Sequence, residues 1–367
     1  MFTAFDTTMM QRALEMARRG LYITDPNPRV GCVLAQGERV VGEGFTSPVG
    51  GPHAEVNALR AAGTAAAGAT AYVTLEPCSH FGRTPPCVDA LIAARVSRVI
   101  FAVGDPNPQV SGTGAARLEA AGISAAAGLL AEEAREINVG FFKRMQHGRP
   151  WVVVKIGMSL DGKIALANGV SQWITSEASR LDVQKQRARS SAILTGIGTV
   201  LADDPRLTVR STEIDMQGRK PLRVICDSQL RTPVSAQLFR EAGSIIVLTT
   251  NSDDEKTNAL IKAGAEVLEV SAAQGHGVDL GAVFQLLATR GCNEVLVEAG
   301  PGLTGRLLQQ GLVDELMIYM APVVLGSHAK SAFELPSITS MTERWNFKLH
   351  ESVAIESDLR LRFRPTS

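Results

Sequence analysis

The sequence predicts an α/β protein of two domains. Strand-like segments rich in valine and isoleucine alternate with segments that show helical spacing of apolar residues, an order typical of helices layered on a parallel or mixed sheet. A length of 367 residues favours two domains over one. The alternation is interrupted at QHGRP, where polar residues precede Pro150. We therefore expect one domain at 1–147 and a second at 148–367.

The first domain is predicted to open with an amphipathic helix in MFTAFDTTMMQRALEMARRG. A hairpin with Gly37 at its turn follows, and the next helix ends at Gly63. The segments expected to form these and the later strands and helices are RVGCVLAQ, RVVGEGFT, HAEVNALRAAG, TAYVTLEPC, CVDALIAARV, SRVIFAVGDPNP and GTGAARLEAAG.

The second domain is predicted to begin with the apolar strand WVVVKIGMSLDGKIA and to alternate again. Further strands are expected at SSAILTG, LRVICDS, GSIIVLTT, AEVLEV, NEVLVEAG and ELMIYMAPVVLG. Helices are expected at SEASRLDVQKQRAR and LTGRLLQQG.

Composition excludes several classes of protein. The 37 basic and 37 acidic residues balance, whereas a dedicated nucleic-acid binder usually carries a basic excess. No apolar run reaches the about 20 residues that span a bilayer, and the N-terminal segment does not resemble a signal peptide. Five cysteines in a long chain argue against a disulfide framework. We expect a cytoplasmic protein that binds neither membranes nor nucleic acid.

The residues most suggestive of chemistry are His53, Glu55, Cys78 and Cys87. An imidazole and two thiolates form a zinc ligand set that leaves the fourth tetrahedral position open to water, the arrangement of a catalytic site. Glu55, two residues after His53, is placed to move protons. The pattern H-x-E, then P-C and a second cysteine, is the signature of zinc-dependent nucleobase deaminases. Both motifs follow a proline, which predicts that Cys78 lies at a helix N-terminus, where the helix dipole favours thiolate.

Two other interpretations of these residues stay open at this point. The cysteines could be small buried hydrophobes, as we expect of Cys32, Cys226 and Cys292. A structural zinc site would need a fourth protein ligand, for which His80 is the neighbouring candidate.

A glycine motif marks the second domain. The strand NEVLVEA runs into Gly300-Pro-Gly302-Leu-Thr-Gly305, and a helix follows, as at turns that bind a pyrophosphate. A tight strand-to-helix turn would need the same glycines. A standard Rossmann domain also places an acidic residue at the end of the next strand. Asp314 and Glu315 precede that strand instead, which argues against the Rossmann fold.

Several strings resemble the bifunctional deaminase-reductase family of riboflavin biosynthesis. They are DPNPRVGCV, GGPHAEVNAL, VTLEPCSHFGRTPPC, VGDPNPQVSGTG, KIGMSLDGKIA, SQWITS, GIGTVLADDPRLTVR and VEAGPGLTGRLL. The segment SHFGRTPP between the cysteines is longer than the usual two residues, as is typical of this family. The resemblance implies a cytidine-deaminase-like three-layer N-terminal domain, a dihydrofolate-reductase-like C-terminal domain and a homodimer formed through the latter.

The resemblance also implies the substrate, a 2,5-diaminopyrimidinone that carries ribosylamine 5′-phosphate. Zn²⁺ would activate the water that replaces the ring amine, with Glu55 as proton shuttle, and NADPH, preferred to NADH, would then reduce the ribose to a ribityl chain. Asn27 is a candidate to hold the base or sugar, or else a turn residue between two prolines. Arg83 is a candidate to bind the phosphate, or else an exposed loop arginine.

By resemblance, two sets of residues line the reductase site. The NADPH set is Gly157, Trp173, Thr199, Asp203, Ser228, Gly300, Pro301, Gly302, Leu303, Thr304, Gly305 and Arg306. The substrate set is Ser171, Arg187, Leu207, Arg210 and Glu298. The alternatives are a solvated helix face for Arg187, the core for Leu207 and Trp173, and a plain turn for Asp203. The proton donor stays open among Lys155, Asp203 and Glu298.

Three rival functions remain. In the first, the second domain binds a nucleotide without reducing anything, and the residues of an NADPH site argue against this. A nucleic-acid-editing deaminase would need clusters of Lys and Arg, which the neutral charge disfavours. A structural zinc protein would close the site with a fourth ligand.

Overall fold

The computed structural model describes residues 1–81, 85–108, 110–273 and 277–366. The chain forms two compact units. The first consists of Met1–Gly148 together with Asp215–Arg219, and the second of Arg149–Ile214 and Lys220–Ser367. Each unit has its own hydrophobic core. Among the described residues, none of the helices combines the length and the apolar character needed to cross a membrane.

The first unit is a five-stranded sheet with helices packed on it. Its elements are α1 (Ala4–Arg19), β1 (Gly31–Gln36), β2 (Arg39–Phe45), α2 (Ala54–Ala62), β3 (Thr70–Val73), α3 (Cys87–Ala93), β4 (Arg98–Phe101), α4 (Thr113–Ala120), β5 (Ser124–Ala127), α5 (Ala131–Ile137) and α6 (Val139–His147). A short 3₁₀ helix, Gly63–Ala66, follows α2.

The strand order β2-β1-β3-β4-β5 determines where the connecting loops meet. β1 runs antiparallel to both β2 and β3, whereas β3, β4 and β5 are parallel. The start of β1 and the ends of β2, β3 and β4 therefore lie at one edge of the sheet. This edge carries the loop before β1, the segment that leads to His53 and the segment that leads to Cys78.

Local sequence explains how the helices of this unit sit. Thr3 and Asp6 form a capping box at the start of α1, which satisfies backbone N–H groups that would otherwise lack partners. α2 packs closely on β2 because glycines replace side chains at the contact. A Cβ atom at Gly44 would lie 2.5 Å from the Ala54 carbonyl oxygen, and one at Gly42 would lie 2.3 Å from that of Ala58.

The second unit is built on a nine-stranded sheet. Its elements are β6 (Trp151–Ser159), β7 (Lys163–Ala165), α7 (Glu177–Arg189), β8 (Ala192–Gly196), α8 (Ile197–Asp203), β9 (Leu222–Cys226), β10 (Ile245–Thr249), α9 (Asp254–Lys262), β11 (Ala265–Glu269), α10 (Leu280–Thr289), β12 (Glu294–Val297), α11 (Pro301–Gln309), β13 (Glu315–Ala321), β14 (Lys330–Ser331), β15 (Phe347–Ile355) and β16 (Asp358–Pro365). Short 3₁₀ helices occupy Gln237–Arg240 and Met341–Glu343.

The large sheet has the order β11-β10-β9-β8-β12-β6-β13-β16-β15, and β7 pairs separately with β14. The seven strands from β11 to β13 are parallel, and β16 and β15 add an antiparallel edge. The carboxyl ends of β6, β8, β9 and β12 share one edge of the sheet, which is where ligands bind in open parallel sheets.

The predicted α/β class is confirmed, and the predicted elements are present with shifted bounds. WVVVKIGMSLDGKIA forms two strands, β6 and β7, because the chain turns after Ser159. The prediction omitted several elements: β5, α5, α6, α8, α9, α10, β14 and the hairpin of β15 and β16. The alternation LRLRF was a strand signal that the prediction passed over. All five cysteines are free, and Cys32, Cys226 and Cys292 are buried in the cores, as expected.

We predict that Gly44→Ala destabilises the first unit, because the added methyl group meets the backbone of α2 and forces the helix outward. Overpacking of this kind costs about 1–3 kcal/mol. Thermal unfolding of the full chain measures the effect. Gly104→Ala is the control, since its Cβ would have the nearest neighbour at 3.7 Å. Equal unfolding midpoints for the two variants would contradict the packing argument.

Candidate functional site

Three possible metal ligands converge at the loop-bearing edge of the first sheet. His53 is the residue that caps the start of α2, Cys78 lies in the loop after β3, and Cys87 is the first residue of α3. The His53 Nδ1 atom lies 3.2 Å from the Cys87 sulfur and 3.6 Å from the Cys78 sulfur. The three ligand atoms lie within 4.8 Å of one another, a spacing that suits a single ion.

The prediction that Cys78 starts a helix is wrong, because α3 begins nine residues later at Cys87. The prolines of the intervening segment are the physical reason, since they delay the first helical turn. The start of α3 nevertheless contacts Cys78, because the Cys87 backbone N–H donates a hydrogen bond to the Cys78 sulfur over 3.3 Å. The positive N-terminal end of α3 therefore faces the Cys78 thiolate.

The electrostatics of the two sulfurs suit a cation. A hydrogen bond from Cys87 lowers the pKa of Cys78 to about 4, whereas the same contact and burial hold the pKa of Cys87 well above its usual range. The pair thus retains one proton, because two adjacent buried thiolates repel each other. A divalent cation removes this repulsion, and two thiolates with a neutral imidazole match the donor set of zinc.

Glu55 lies in the first turn of α2, beside this cluster. Its side chain is buried, with a residue exposure of 3%. Burial raises the pKa of Glu55 to about 7, and the charge of Cys78 contributes to the rise. A carboxyl group with this pKa both accepts and releases a proton near neutral pH, which is what a proton shuttle requires.

The structure argues against the two alternatives to an open zinc site, which are cysteines that serve as buried hydrophobes and a structural zinc site with four protein ligands. Cys78 and Cys87 converge on His53 instead of packing independently among apolar side chains, so they are not mere core fillers. Within the described part of the chain the cluster has three members, and His80 is not one of them. The fourth ligand of a structural site is therefore lacking among the described residues.

Three further polar residues lie around the cluster: sequence reasoning missed Glu76 and Asp105, and it considered His80 only as a fourth zinc ligand. Glu76 is buried next to Pro77, and Asp105 is buried in the loop after β4. Burial raises the pKa of Asp105 to about 6, with contributions from Glu76 and Cys78. The Nδ1 atom of His80 is buried and has no hydrogen-bond partner among the described residues. The string EPCSH carried two of these residues, but only the fold shows their burial.

The two candidate substrate residues of this unit have different outcomes. Asn27 lies in a turn, its backbone N–H donating to the Thr24 carbonyl over 2.9 Å, so the turn interpretation is correct for its backbone. The turn lies before β1, at the same sheet edge as the cysteines, so a second role for the Asn27 amide stays compatible with the fold. Arg83 lies outside the described residues.

A cavity of about 610 Å³ opens at the carboxyl edge of the second sheet. It is lined by residues that follow β8 and β9, and by the first turns of α11. Four residues of the predicted NADPH set line it: Ser228, Gly302, Leu303 and Arg306. The fold therefore brings part of this set together around one space.

The glycine motif forms the start of α11. Gly300 caps the helix and Pro301 is its first residue, so the strand-to-helix turn is as predicted. The Gly300 N–H donates to the Thr199 hydroxyl over 3.1 Å, which joins two predicted cofactor residues. A Cβ atom at Gly305 would lie 1.9 Å from the Glu334 carbonyl oxygen, so this glycine serves close packing.

Asp314 and Glu315 do not serve as ribose-binding acids. Arg149 pairs with Asp314 through two hydrogen bonds of 2.7 and 2.8 Å, and Arg362 pairs with Glu315. Both carboxylates are thus used in structural ion pairs, which agrees with the expectation that this is not a standard Rossmann domain.

Arg187 and Glu298 form a buried ion pair. Glu298 accepts hydrogen bonds of 2.5 and 2.9 Å from the Arg187 guanidinium, which also donates to the Thr208 carbonyl. Burial alone would raise the pKa of Glu298, but Arg187, Lys155 and Arg210 lower it to about 2. The alternative that Arg187 is a solvated helix residue is therefore wrong.

The remaining predicted residues occupy varied positions. Trp173 is 68% exposed, with the Arg180 guanidinium 4.4 Å from its ring, so it is not a core residue. Leu207 is 2% exposed, in agreement with the core alternative. Asp203 ends α8 just before a turn.

Gly157 lies on β6, where a Cβ atom would be 3.8 Å from the Lys155 ammonium nitrogen. Ser171 is half-buried, Thr304 is buried within α11, and Arg210 is exposed.

Comparison with known families defines the class of protein. Residues 3–103 match the cytidine and deoxycytidylate deaminase zinc-binding region, and residues 150–361 match the RibD C-terminal domain. The chain therefore joins a zinc-binding deaminase region to a reductase domain.

Full-length relatives show the family itself. The chain is 47% identical to the riboflavin biosynthesis protein RibD of Escherichia coli, over 97% of this chain and 98% of the relative. Identity to RibD of Haemophilus influenzae is 44%, over 99% and 98%. The Acinetobacter baumannii RibD structure matches with a TM-score of 0.91 at 43% identity, over 99% of both chains.

A solved Thermotoga maritima structure, described as a diaminohydroxyphosphoribosylaminopyrimidine deaminase/5-amino-6-(5-phosphoribosylamino)uracil reductase, matches with a TM-score of 0.87 at 33% identity, over 99% of both chains. The chain belongs to the RibD family of riboflavin biosynthesis, and it is a bifunctional enzyme with a deaminase and a reductase domain.

We predict that Cys78→Ser and Cys87→Ser each lose bound zinc, because a serine hydroxyl is a far weaker ligand than a thiolate. Elemental analysis of the purified variants measures the metal, and Cys292→Ser is the control because this cysteine is buried far along the chain in the other unit. Zinc uptake by the parent should weaken as pH falls, since the thiolates must be deprotonated to bind. Full occupancy in both site variants would refute the ligand assignment.

Proposed function

We propose that this chain deaminates 2,5-diamino-6-(5-phosphoribosylamino)pyrimidin-4-one with zinc held by His53, Cys78 and Cys87, and then reduces the ribose with NADPH. The observation that carries the proposal is the three-ligand cluster with buried Glu55 beside it. The domains we assign are 1–147 for deamination and 148–367 for reduction.

In the deaminase site, zinc supplies an activated water at neutral pH when it is bound. Glu55 would accept a proton from the attacking water, deliver it to a ring nitrogen and then assist the departure of ammonia. Its pKa of about 7 favours both transfers. His80 and Asp105, with Asn27 at the same sheet edge, offer the polar groups that would orient the pyrimidine and its ribose, and Arg83 remains the candidate for the 5′-phosphate.

In the reductase site, NADPH supplies hydride when it is bound. The side chains must then supply a proton, and we infer that Lys155 is the donor. Glu298 is held as a carboxylate by Arg187, so it has no proton to give. Asp203 lies exposed at the end of α8. Burial lowers the pKa of Lys155, which makes its ammonium a better acid.

The substrate phosphate is better suited to Arg210 than to Arg187. The Arg187 guanidinium is occupied by Glu298 and the Thr208 carbonyl. The Arg210 guanidinium is exposed and makes no hydrogen bond to a described residue, so it is available for a bidentate contact with phosphate. Arg187 then acts by holding Glu298, and the Ser171, Leu207 and Glu298 assignments stay as implied by the family.

Arg306 is our candidate for the residue that recognises the NADPH 2′-phosphate. It lines the cavity with Ser228 and Gly302, and its guanidinium donates one hydrogen bond, of 2.8 Å, to the Val278 carbonyl. It is the one arginine or lysine among the described residues that line this cavity. The homodimer and the cytoplasmic location remain predictions from the family.

A coupled assay tests the proposed function. Purified protein receives the diaminopyrimidine ribosylamine phosphate with and without NADPH, and ammonia and NADPH are followed separately. We expect ammonia in both cases and NADPH oxidation only after deamination. Ammonia release without any NADPH oxidation would support the rival in which the second domain does not reduce.

We predict that Glu55→Gln separates the two activities. The amide keeps the shape of the side chain but cannot shuttle a proton, so deamination should fall by ~10²–10⁴-fold. Zinc content should stay near that of the parent because the three ligands are intact. Reduction of the already deaminated intermediate should continue at close to the parent rate. If this reduction also stops in folded protein, the two activities share one site.

The reverse variant is Gly302→Trp, in which a bulky side chain crowds the start of α11, where even a Cβ atom would lie 3.1 Å from the Glu334 carboxylate. NADPH oxidation should be lost while ammonia release persists. Loss of ammonia release with retained zinc would argue against separate sites.

We predict that the parent prefers NADPH to NADH and that Arg306→Gln removes much of this preference. A charged hydrogen bond to phosphate contributes about 1.5–3 kcal/mol, so kcat/KM for NADPH should fall roughly 10- to 100-fold. The value for NADH, which lacks the 2′-phosphate, should change little and is the internal control. An equal fall for both cofactors would assign Arg306 a structural role instead.

A further inference from the structure

The Glu76 carboxylate is buried between two loops of the first unit. Its Oε2 atom accepts hydrogen bonds from the Asp105 and Gly112 backbone N–H groups, at 3.3 and 3.1 Å. Its Oε1 atom accepts from the N–H groups of Gly114 and Ala115, at 3.1 and 3.3 Å. One carboxylate thus holds four backbone donors of the segment that runs from β4 into α4.

Further contacts hold the same two segments together. A Cβ atom at Gly114 would lie 2.2 Å from the Pro77 carbonyl oxygen, so the segments touch backbone to backbone. The Arg117 guanidinium donates to the Ser79 carbonyl over 2.7 Å, and the hydroxyls of Ser79 and Thr113 are hydrogen-bonded. The loop that carries Cys78 therefore rests on the segment that follows β4.

Glu76 also contacts the loop that carries Asp105. The Asp105 N–H is one of its donors, and the Asp105 carboxyl group interacts electrostatically with Cys78 and His80. Cys78 is separated from Glu76 by Pro77 alone, whose ring restricts the backbone between them. Glu76 thus connects the loop that carries Cys78 to the loop that carries Asp105.

We propose that Glu76 is a positioning residue of the deaminase site, which fixes the loop of the proposed zinc ligand Cys78 and the loop of Asp105 relative to each other. Its carboxylate accepts hydrogen bonds from backbone N–H groups, so it acts on the site through the backbone. The inference rests on the proposed function, because it presumes that Cys78 binds zinc.

We call the Glu76 carboxylate and its four backbone donors, on Asp105, Gly112, Gly114 and Ala115, the clamp. This arrangement requires a carboxylate at position 76. Four N–H donors converge on two oxygens, and Glu76 forms no ion pair with a described residue, so the backbone dipoles are what stabilise its charge. A glutamine of the same shape has one oxygen and an NH₂ group that would face N–H donors. Glu76→Gln therefore leaves two donors unpaired without creating a cavity.

The test uses the full chain loaded with zinc, and it compares Glu76→Gln with two other variants. Gly114→Ala pushes the same segments apart sterically and leaves every charge in place. Glu119→Gln makes the same chemical change at an exposed position on α4 and is the matched control. The measurements are zinc release to a chromophoric chelator, the visible spectrum of the cobalt-substituted protein, and the kcat and KM of deamination. NADPH oxidation on the deaminated intermediate reports on the second domain.

We expect Glu76→Gln and Gly114→Ala to release zinc at least tenfold faster, to alter the cobalt–thiolate bands and to lower kcat for deamination at least tenfold. Glu119→Gln should behave as the parent, and NADPH oxidation should be unchanged in all three. If Glu76→Gln fails to fold, Gly114→Ala decides the matter.

A lowered unfolding midpoint with parent-like zinc release, cobalt spectrum and kcat would overturn the inference, since Glu76 would then serve only stability. A parent protein that binds no zinc would overturn the proposed function itself, a result distinct from the failure of Glu76 as a positioning residue.

Discussion

The site of the first domain depends on the close approach of α2 to the sheet. His53 and Glu55 both belong to the start of this helix, and the helix reaches β2 because Gly42 and Gly44 carry no side chains at the contact. The approach places the imidazole at the sheet edge where the loop after β3 delivers Cys78. A helix displaced by the width of one methyl group would carry His53 and Glu55 away from both sulfurs together.

Both domains use the same solution for gathering functional residues. Loops that leave the ends of neighbouring strands meet at one sheet edge, so residues far apart in sequence become neighbours. In the first domain this edge collects His53, Cys78 and Cys87. In the second, it collects the segments after β8 and β9 and the start of α11 around one cavity. Both sites thus lie at a sheet edge of the same kind, and the difference in their chemistry comes from the side chains that the loops carry.

Three glutamates show how the surroundings set the role of a carboxyl group. Burial raises the pKa of Glu55, so this side chain can carry a proton. Glu298 is paired with Arg187 and stays ionised. Glu76 is held by four backbone N–H groups and joins two loops. The amino-acid type is the same in each case, and the neighbours determine whether it reacts, orients or positions.

By itself the sequence determined the α/β class, the alternation of elements and the residue types of the metal cluster, because periodicity and ligand chemistry are local properties. It also carried the glycine motif at α11. Only the tertiary structure decided that α3, not Cys78, supplies the helix start at the cluster, and that Trp173 is exposed while Leu207 is buried. It likewise revealed the pairing of Arg187 with Glu298 and the clamp at Glu76. The clamp and the ion pair join residues from 29 to 111 positions apart in the sequence, and pairing across such distances arises only when the sheets bring the loops together.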